Sequence, residues 1–409
     1  MRRVAVTGLG VVSAVGIGAP EFWTRIVAGT SGVGPITHFD TTGFQSQIAA
    51  EVHGFNAAEH FGEVEREMLD RFAQFAIVAA DEAWAQSGLE VDDELRDRAG
   101  VAISSAMGGA MTQDSRYKRM YKDGGTRPHP FSIPRIMNNA AVAHVSMRRG
   151  LRGPAISIAT ACAAGAHAIG EAAEMIRAGR VDVMLAGGAD APIAPGVVRC
   201  WEAMRVLAPA PKDNPSAACR PFSRNRLGMV LGEGAAVVVL EEWEHAKERG
   251  AAILAELAGY GATADADHIT QPGIDAPARA IATALAQGCL TPADIDYVNA
   301  HGTATRLNDA TETAVIKKAL GEHAKSTVVS STKALHGHAM GASAALEFIA
   351  TVFALREGVV PPTMHYTEPD PDCDLDYAPN EARRRPLRAA ISNSFAFGGL
   401  NAVLALRKA

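Results

Sequence analysis

Cysteine is scarce. The 409 residues hold five, Cys162, Cys200, Cys219, Cys289 and Cys373. They are far apart and no two form a CxxC pair, which argues against a disulfide framework and leaves no zinc spacing. Long apolar runs are missing as well, since no segment approaches the roughly 20 residues of a membrane helix. There is no low-complexity linker and no short-period repeat. Basic excess is lacking too: the net charge of −6 argues against nucleic acid as the partner. The chain enters the strand-like Val4-Ala5-Val6 directly after Met1-Arg2-Arg3, without a signal-peptide pattern, so a cytoplasmic location is expected. What is present is 48% hydrophobic residues and 39 glycines, the composition of a tightly packed α/β protein. Its length is enough for a large core and two or three domains.

Ala159-Thr160-Ala161-Cys162-Ala163-Ala164-Gly165 follows the apolar run Ala155-Ile156-Ser157-Ile158. This reads as a short buried strand, a turn, and a cysteine where the next helix begins. Free N–H groups at a helix start favour thiolate over thiol, and small neighbours leave room for a substrate. A buried free cysteine is by default inert packing. Two distant segments argue otherwise. Tyr297-Val298-Asn299-Ala300-His301-Gly302-Thr303-Ala304-Thr305 is a strand ending in a histidine. Ser330-Ser331-Thr332-Lys333-Ala334-Leu335-His336-Gly337-His338 leads into a helix-like run. One cysteine with distant histidines is the sequence form of a thiol nucleophile with histidine helpers.

Taken with Val4-Ala5-Val6-Thr7-Gly8-Leu9-Gly10 near the start and Asn393-Ser394-Phe395-Ala396-Phe397-Gly398-Gly399 near the end, these segments resemble the β-ketoacyl-acyl-carrier-protein synthases. Those are the decarboxylating condensing enzymes of fatty acid and polyketide assembly. The resemblance runs in register over nearly the whole chain. It implies the thiolase fold, an α/β protein whose two duplicated halves stack as a five-layered αβαβα sandwich. Residues 1–250 would carry the nucleophile and residues 251–409 the histidines and lysine, with the junction near residues 245–255.

The resemblance also implies residue roles. Cys162 would carry the acyl primer, and the backbone N–H groups of Cys162 and Phe397 would form the oxyanion hole, with Phe397 also acting as a gate. His301 and His338, as neutral donors, would stabilise the enolate left when malonyl-acyl carrier protein loses carbon dioxide. Lys333, paired with Glu312, would orient His338. Thr303 and Thr305 would hydrogen-bond the phosphopantetheine arm, and Met107 would reach across the acyl pocket. No metal and no cofactor beyond the carrier-borne phosphopantetheine is implied. The expected partners are an acyl carrier protein and either a second copy or a chain-length-factor homologue, with neither membrane nor nucleic acid.

Other readings carry less. Gly8-Leu9-Gly10 lacks the third glycine and the acidic ribose partner of a dinucleotide fingerprint, and reads as a tight strand exit. His336 and His338 form an HxH pair without a suitably spaced carboxylate. A thiolase would need a second late cysteine in the glycine-rich turn, whereas Cys373 sits in the loop-like Asp370-Pro371-Asp372-Cys373-Asp374. A non-catalytic chain-length factor would lack the cysteine. The chain departs from the family pattern at Arg306, where proline is usual, at His336, where threonine is usual, and at Ala396 and Leu400 around the gating turn. The segment 63–71, usually basic, interleaves Arg66 and Arg71 with Glu63, Glu65, Glu67 and Asp70. Carrier docking is therefore expected to rely more on Arg116, Lys118, Arg119, Lys122 and Arg127.

Overall fold

The computed structural model describes residues 2–211 and 213–409. The first half supplies strands β1 (Val4–Ser13), β2 (Ala99–Ser104), β3 (Ala155–Ile156), β4 (Val183–Asp190) and β5 (Gly234–Glu242). The second supplies β6 (Ala255–Ala264), β7 (Ile295–Asn299), β8 (Val328–Ser330), β9 (Ala389–Ala396) and β10 (Leu400–Arg407). Neighbours run β3-β2-β4-β5-β1 in the first half and β8-β7-β9-β10-β6 in the second, the same order twice. The halves join through a short ladder that pairs Ala5 with Glu256 and Val6 with Ala255.

Five helices complete the layers: α1 (Arg71–Ser87), α2 (Ala164–Arg177), α3 (Asp275–Gln287), α4 (Arg306–Leu320) and α5 (Ser343–Glu357). Helix α1 covers the outer face of the first sheet and α3 the outer face of the second, flanked by α4. Helices α2 and α5 lie between the sheets and touch each other. Strand alternation feeds these layers. Val183 and Leu185 join the cluster under α1, while Met184 and Ala186 face the central layer. Protein surrounds α5, so every residue from Ser343 to Leu355 is buried. Phe72, Phe75, Ala76, Ala79, Ala80 and Ala83 form the buried face of α1.

The sheets are mixed, because β5 and β10 run antiparallel to both neighbours. In the second half a tight turn joins β9 to β10, and such a turn can only link antiparallel strands. Two sequence expectations need correction. Gly8 and Gly10 do not mark a strand exit, since β1 continues through Ser13. A Cβ on them would lie 2.1 Å from the Ala83 carbonyl oxygen and 1.8 Å from that of Ala79, so their role is to let α1 approach the sheet. Gly259 and Gly261 on β6 meet Ala284 and Ala280 of α3 in the same way. Nor is the strand before Cys162 buried. It is a two-residue edge strand, paired only with β2, with Ala155 exposed.

Candidate active site

Cys162 sits in the single turn Ala161–Ala163 that leads into α2. Its side chain is buried among apolar neighbours of the central layer. The expectation of a stabilised thiolate is not met in the resting protein. Burial pushes the thiol up to about 12, although the Lys333 charge pulls it down.

His301 follows the end of β7, and His338 follows the short helix Lys333–His336. Their rings stand 5.5 Å apart and nearly perpendicular. Both rings are neutral. Burial lowers each well below the usual histidine range, and the nearby Lys333 ammonium lowers it further. Lys333 is a donor only, so its 3.3 Å contact with His301 Nδ1 makes that nitrogen the acceptor. The proton of His301 then resides on Nε2. Nδ1 of His338 shares a 2.9 Å hydrogen bond with the Ser343 hydroxyl.

The ion pair expected for Lys333 is different. Its carboxylate partner is Glu347 on α5, not Glu312, and both side chains of the pair are fully buried. The lysine also donates to the His301 carbonyl oxygen at 2.6 Å, so it braces His301 rather than His338. Glu312 has another task. Its two oxygens accept the backbone N–H groups of His301 and Gly302 at 2.8 Å each, and Asn393 donates to it from 3.2 Å. Burial raises both carboxyls to about 7. Glu312 stands on α4 and Glu347 on α5, so each carboxylate reaches the site from a different layer.

Cys162, His301, His338, Thr303, Thr305 and Phe397 all line one cavity of about 430 Å³. Thr303 and Thr305 bridge through their hydroxyls at 2.9 Å. Phe397 occupies the turn between β9 and β10, where Gly398 and Gly399 take φ of 83° and 67°. Its ring stacks on Trp201 at 6.0 Å. Met107 is not on this wall. It packs against the cluster that contains Cys162, and its N–H is held 2.9 Å from Asp190. His336 turns away from the cavity to Thr332 at 3.0 Å, so the HxH pair does not converge on one point. No group of three or more metal-ligating side chains exists among the described residues.

Sequence reading missed Glu347, Ser343, Asp190 and Trp201. Glu347 left a trace: it is the lone charge in the run Ser343–Leu355, and a buried charge requires a partner. Asp190, also buried, accepts from the Ser105 hydroxyl at 2.6 Å and from the N–H groups of Ala106, Met107 and Gly341. It thereby ties the turn after β2 to the segment that carries His338. Nothing local in the sequence marks that link.

Residues 1–246 match the beta-ketoacyl synthase N-terminal domain and residues 254–367 the beta-ketoacyl synthase C-terminal domain. The chain is 46% identical to Nodulation protein E of Rhizobium sp. (strain N33), with 100% of this chain and 99% of that protein covered. It is 44% identical to 3-oxoacyl-[acyl-carrier-protein] synthase 2 of Coxiella burnetii, again over 100% and 99% of the two chains. One similar solved structure is a ketosynthase in complex with its type II polyketide acyl carrier protein, bound to a hexaketide. It has a TM-score of 0.92 at 38% identity and covers 100% of this chain and 99% of its own. Another is the ishigamide ketosynthase/chain length factor, with a TM-score of 0.92 at 37% identity and the same coverage. No helix among the described residues is long and apolar enough to cross a membrane.

Proposed function

The chain belongs to the β-ketoacyl synthase family, and on that premise we propose that it joins an acyl primer on Cys162 to malonyl-acyl carrier protein, giving 3-oxoacyl-acyl carrier protein. One observation carries the reading. Cys162, His301 and His338 come from three remote segments and both halves of the chain, yet they line a single cavity.

The Cys162 sulfur attacks the primer thioester, and its proton leaves with the departing pantetheine sulfur. The N–H groups of Cys162 and Phe397 receive the oxyanion. Malonyl thioester then loses carbon dioxide, and the electron pair of the broken C–C bond passes into an enolate. His301 and His338 donate N–H to the enolate oxygen. Neutral rings suit this step because each N–H can stabilise the charge building on that oxygen without handing the enolate a proton, as an imidazolium could. The enolate carbon attacks the acyl carbonyl, and the Cys162 sulfur leaves and is reprotonated from water. Lys333 and Glu347 hold His301 in its tautomer, while Glu312 fixes the backbone at His301 and Gly302. No electron transfer enters these steps, so they balance without a redox cofactor.

Residues 1–250 thus supply the nucleophile and residues 251–409 the decarboxylation donors, a division supported by the repeated strand order. Thr303 and Thr305 bind the pantetheine arm, and Met107 borders the acyl chain behind Cys162. The working form is a dimer in which the sheet continues across the free edge at β3, and the site of action is the cytoplasm. Similarity to a ketosynthase/chain length factor supports a second reading, in which this chain is the catalytic half of a heterodimer. Mass spectrometry after incubation with acyl carrier thioester tests the function. The adduct is expected on the Cys162 peptide, and acylation that survives Cys162→Ala overturns the assignment.

A further inference from the structure

The segment that carries His301 climbs from the floor of the cavity to its rim. His301 and Thr303 are buried, Thr305 is half-buried, and Arg306 and Leu307 are exposed, and all five line the same cavity. Arg205, also exposed, lines the same cavity. The third arginine of the wall, Arg226, is committed. It pairs with Asp370 and donates to the carbonyl oxygens of Thr305 and Arg306. Nearby Arg199 pairs with Glu202. Arg205 and Arg306 hold no carboxylate among the described residues. Among the described residues the single acidic side chain of the wall, Asp265, is bound by Asn401 at 2.8 Å and by the N–H of Gly273 at 2.9 Å.

A cation at the first residue of α4 also opposes the helix dipole, so Arg306 gains nothing locally from its position. Two free guanidinium groups at the solvent end of a cavity whose deep end holds the nucleophile form a seat for an anion. We infer that Arg306, with Arg205, binds the phosphodiester that links the pantetheine arm to its carrier. The inference rests on the proposed condensing activity, in which the thioester lies deep at Cys162 and the phosphate end of the same arm lies at the rim. Arg306 is therefore a binding residue that selects phosphorylated pantetheine thioesters.

The test measures decarboxylation of malonyl-phosphopantetheine and malonyl-pantetheine. The wild type is expected to favour the phosphorylated substrate by about tenfold in KM with kcat little changed, the scale of one charge-assisted hydrogen bond. The preference should shrink at high salt, because the groups are exposed. In Arg306→Ala the ratio should collapse towards one, and in Arg306→Lys part of it should remain. Equal use of both substrates by the wild type overturns the inference and leaves the condensing function standing. A variant that loses activity only on carrier-borne malonate, with the small-substrate ratio intact, also overturns it, because the arginine then reads the carrier's acidic surface. A wild type that decarboxylates neither the small thioesters nor malonyl-acyl carrier protein instead removes the proposed function.

Discussion

Removing the Glu347 carboxylate tests the corrected ion pair most sharply. Both partners are fully buried, and the second Glu347 oxygen has no hydrogen-bond partner among the described residues. Glu347→Ala would leave the Lys333 ammonium in the core with only the His301 carbonyl and ring nitrogen beside it. Breaking one side of such a pair typically costs about 3–5 kcal/mol, because the remaining charge stays desolvated. Denaturant unfolding should show a loss of that size. The loss should not track an Ala-for-Glu volume change alone, so Glu347→Leu should be equally destabilised. The double variant Lys333→Met/Glu347→Leu removes both charges and should recover most of the stability. It should not recover malonyl decarboxylation, because His301 Nδ1 loses the donor that fixes its tautomer. If Glu347→Ala loses less than about 1 kcal/mol, or the double variant is as unstable as the single one, the pair does not hold the site as described.

His301→Ala and His338→Ala should still acylate Cys162 but release labelled carbon dioxide from malonyl-carrier protein about 10²–10³-fold more slowly; normal release by either would refute the donor roles. Asp190→Asn should destabilise with a definite pH dependence. The Asp190 pKa is raised by burial to about 6, so its contribution is fully present below the ordinary carboxylate value and is lost as pH rises through about 6. The stability gap between the wild type and Asp190→Asn, from unfolding curves at several pH values, should therefore be widest near pH ~4 and narrower above pH ~7. A gap that widens with rising pH would contradict this.

Much of the site was legible in the sequence because its chemistry sits in short segments. A cysteine at a strand-to-helix turn, a histidine at a strand end and a lysine-histidine turn each mark themselves locally, and the family pattern joins them. The same holds for the apolar face of α1 and the glycines that meet it, although their meaning as a close helix approach required the neighbouring layer. Only the tertiary structure decided which carboxylate pairs with Lys333. Glu312 and Glu347 are both within reach by sequence order, and the choice depends on α5 entering the central layer while α4 lies towards the outside. It also decided the state of the Cys162 thiol. A helix start favours thiolate, but burial between two sheets opposes charge more strongly, and burial is set by all five layers together. The reach of Asp190 across both halves and the two free arginines at the rim belong to the same class. Each depends on distances between segments that sequence separation does not encode.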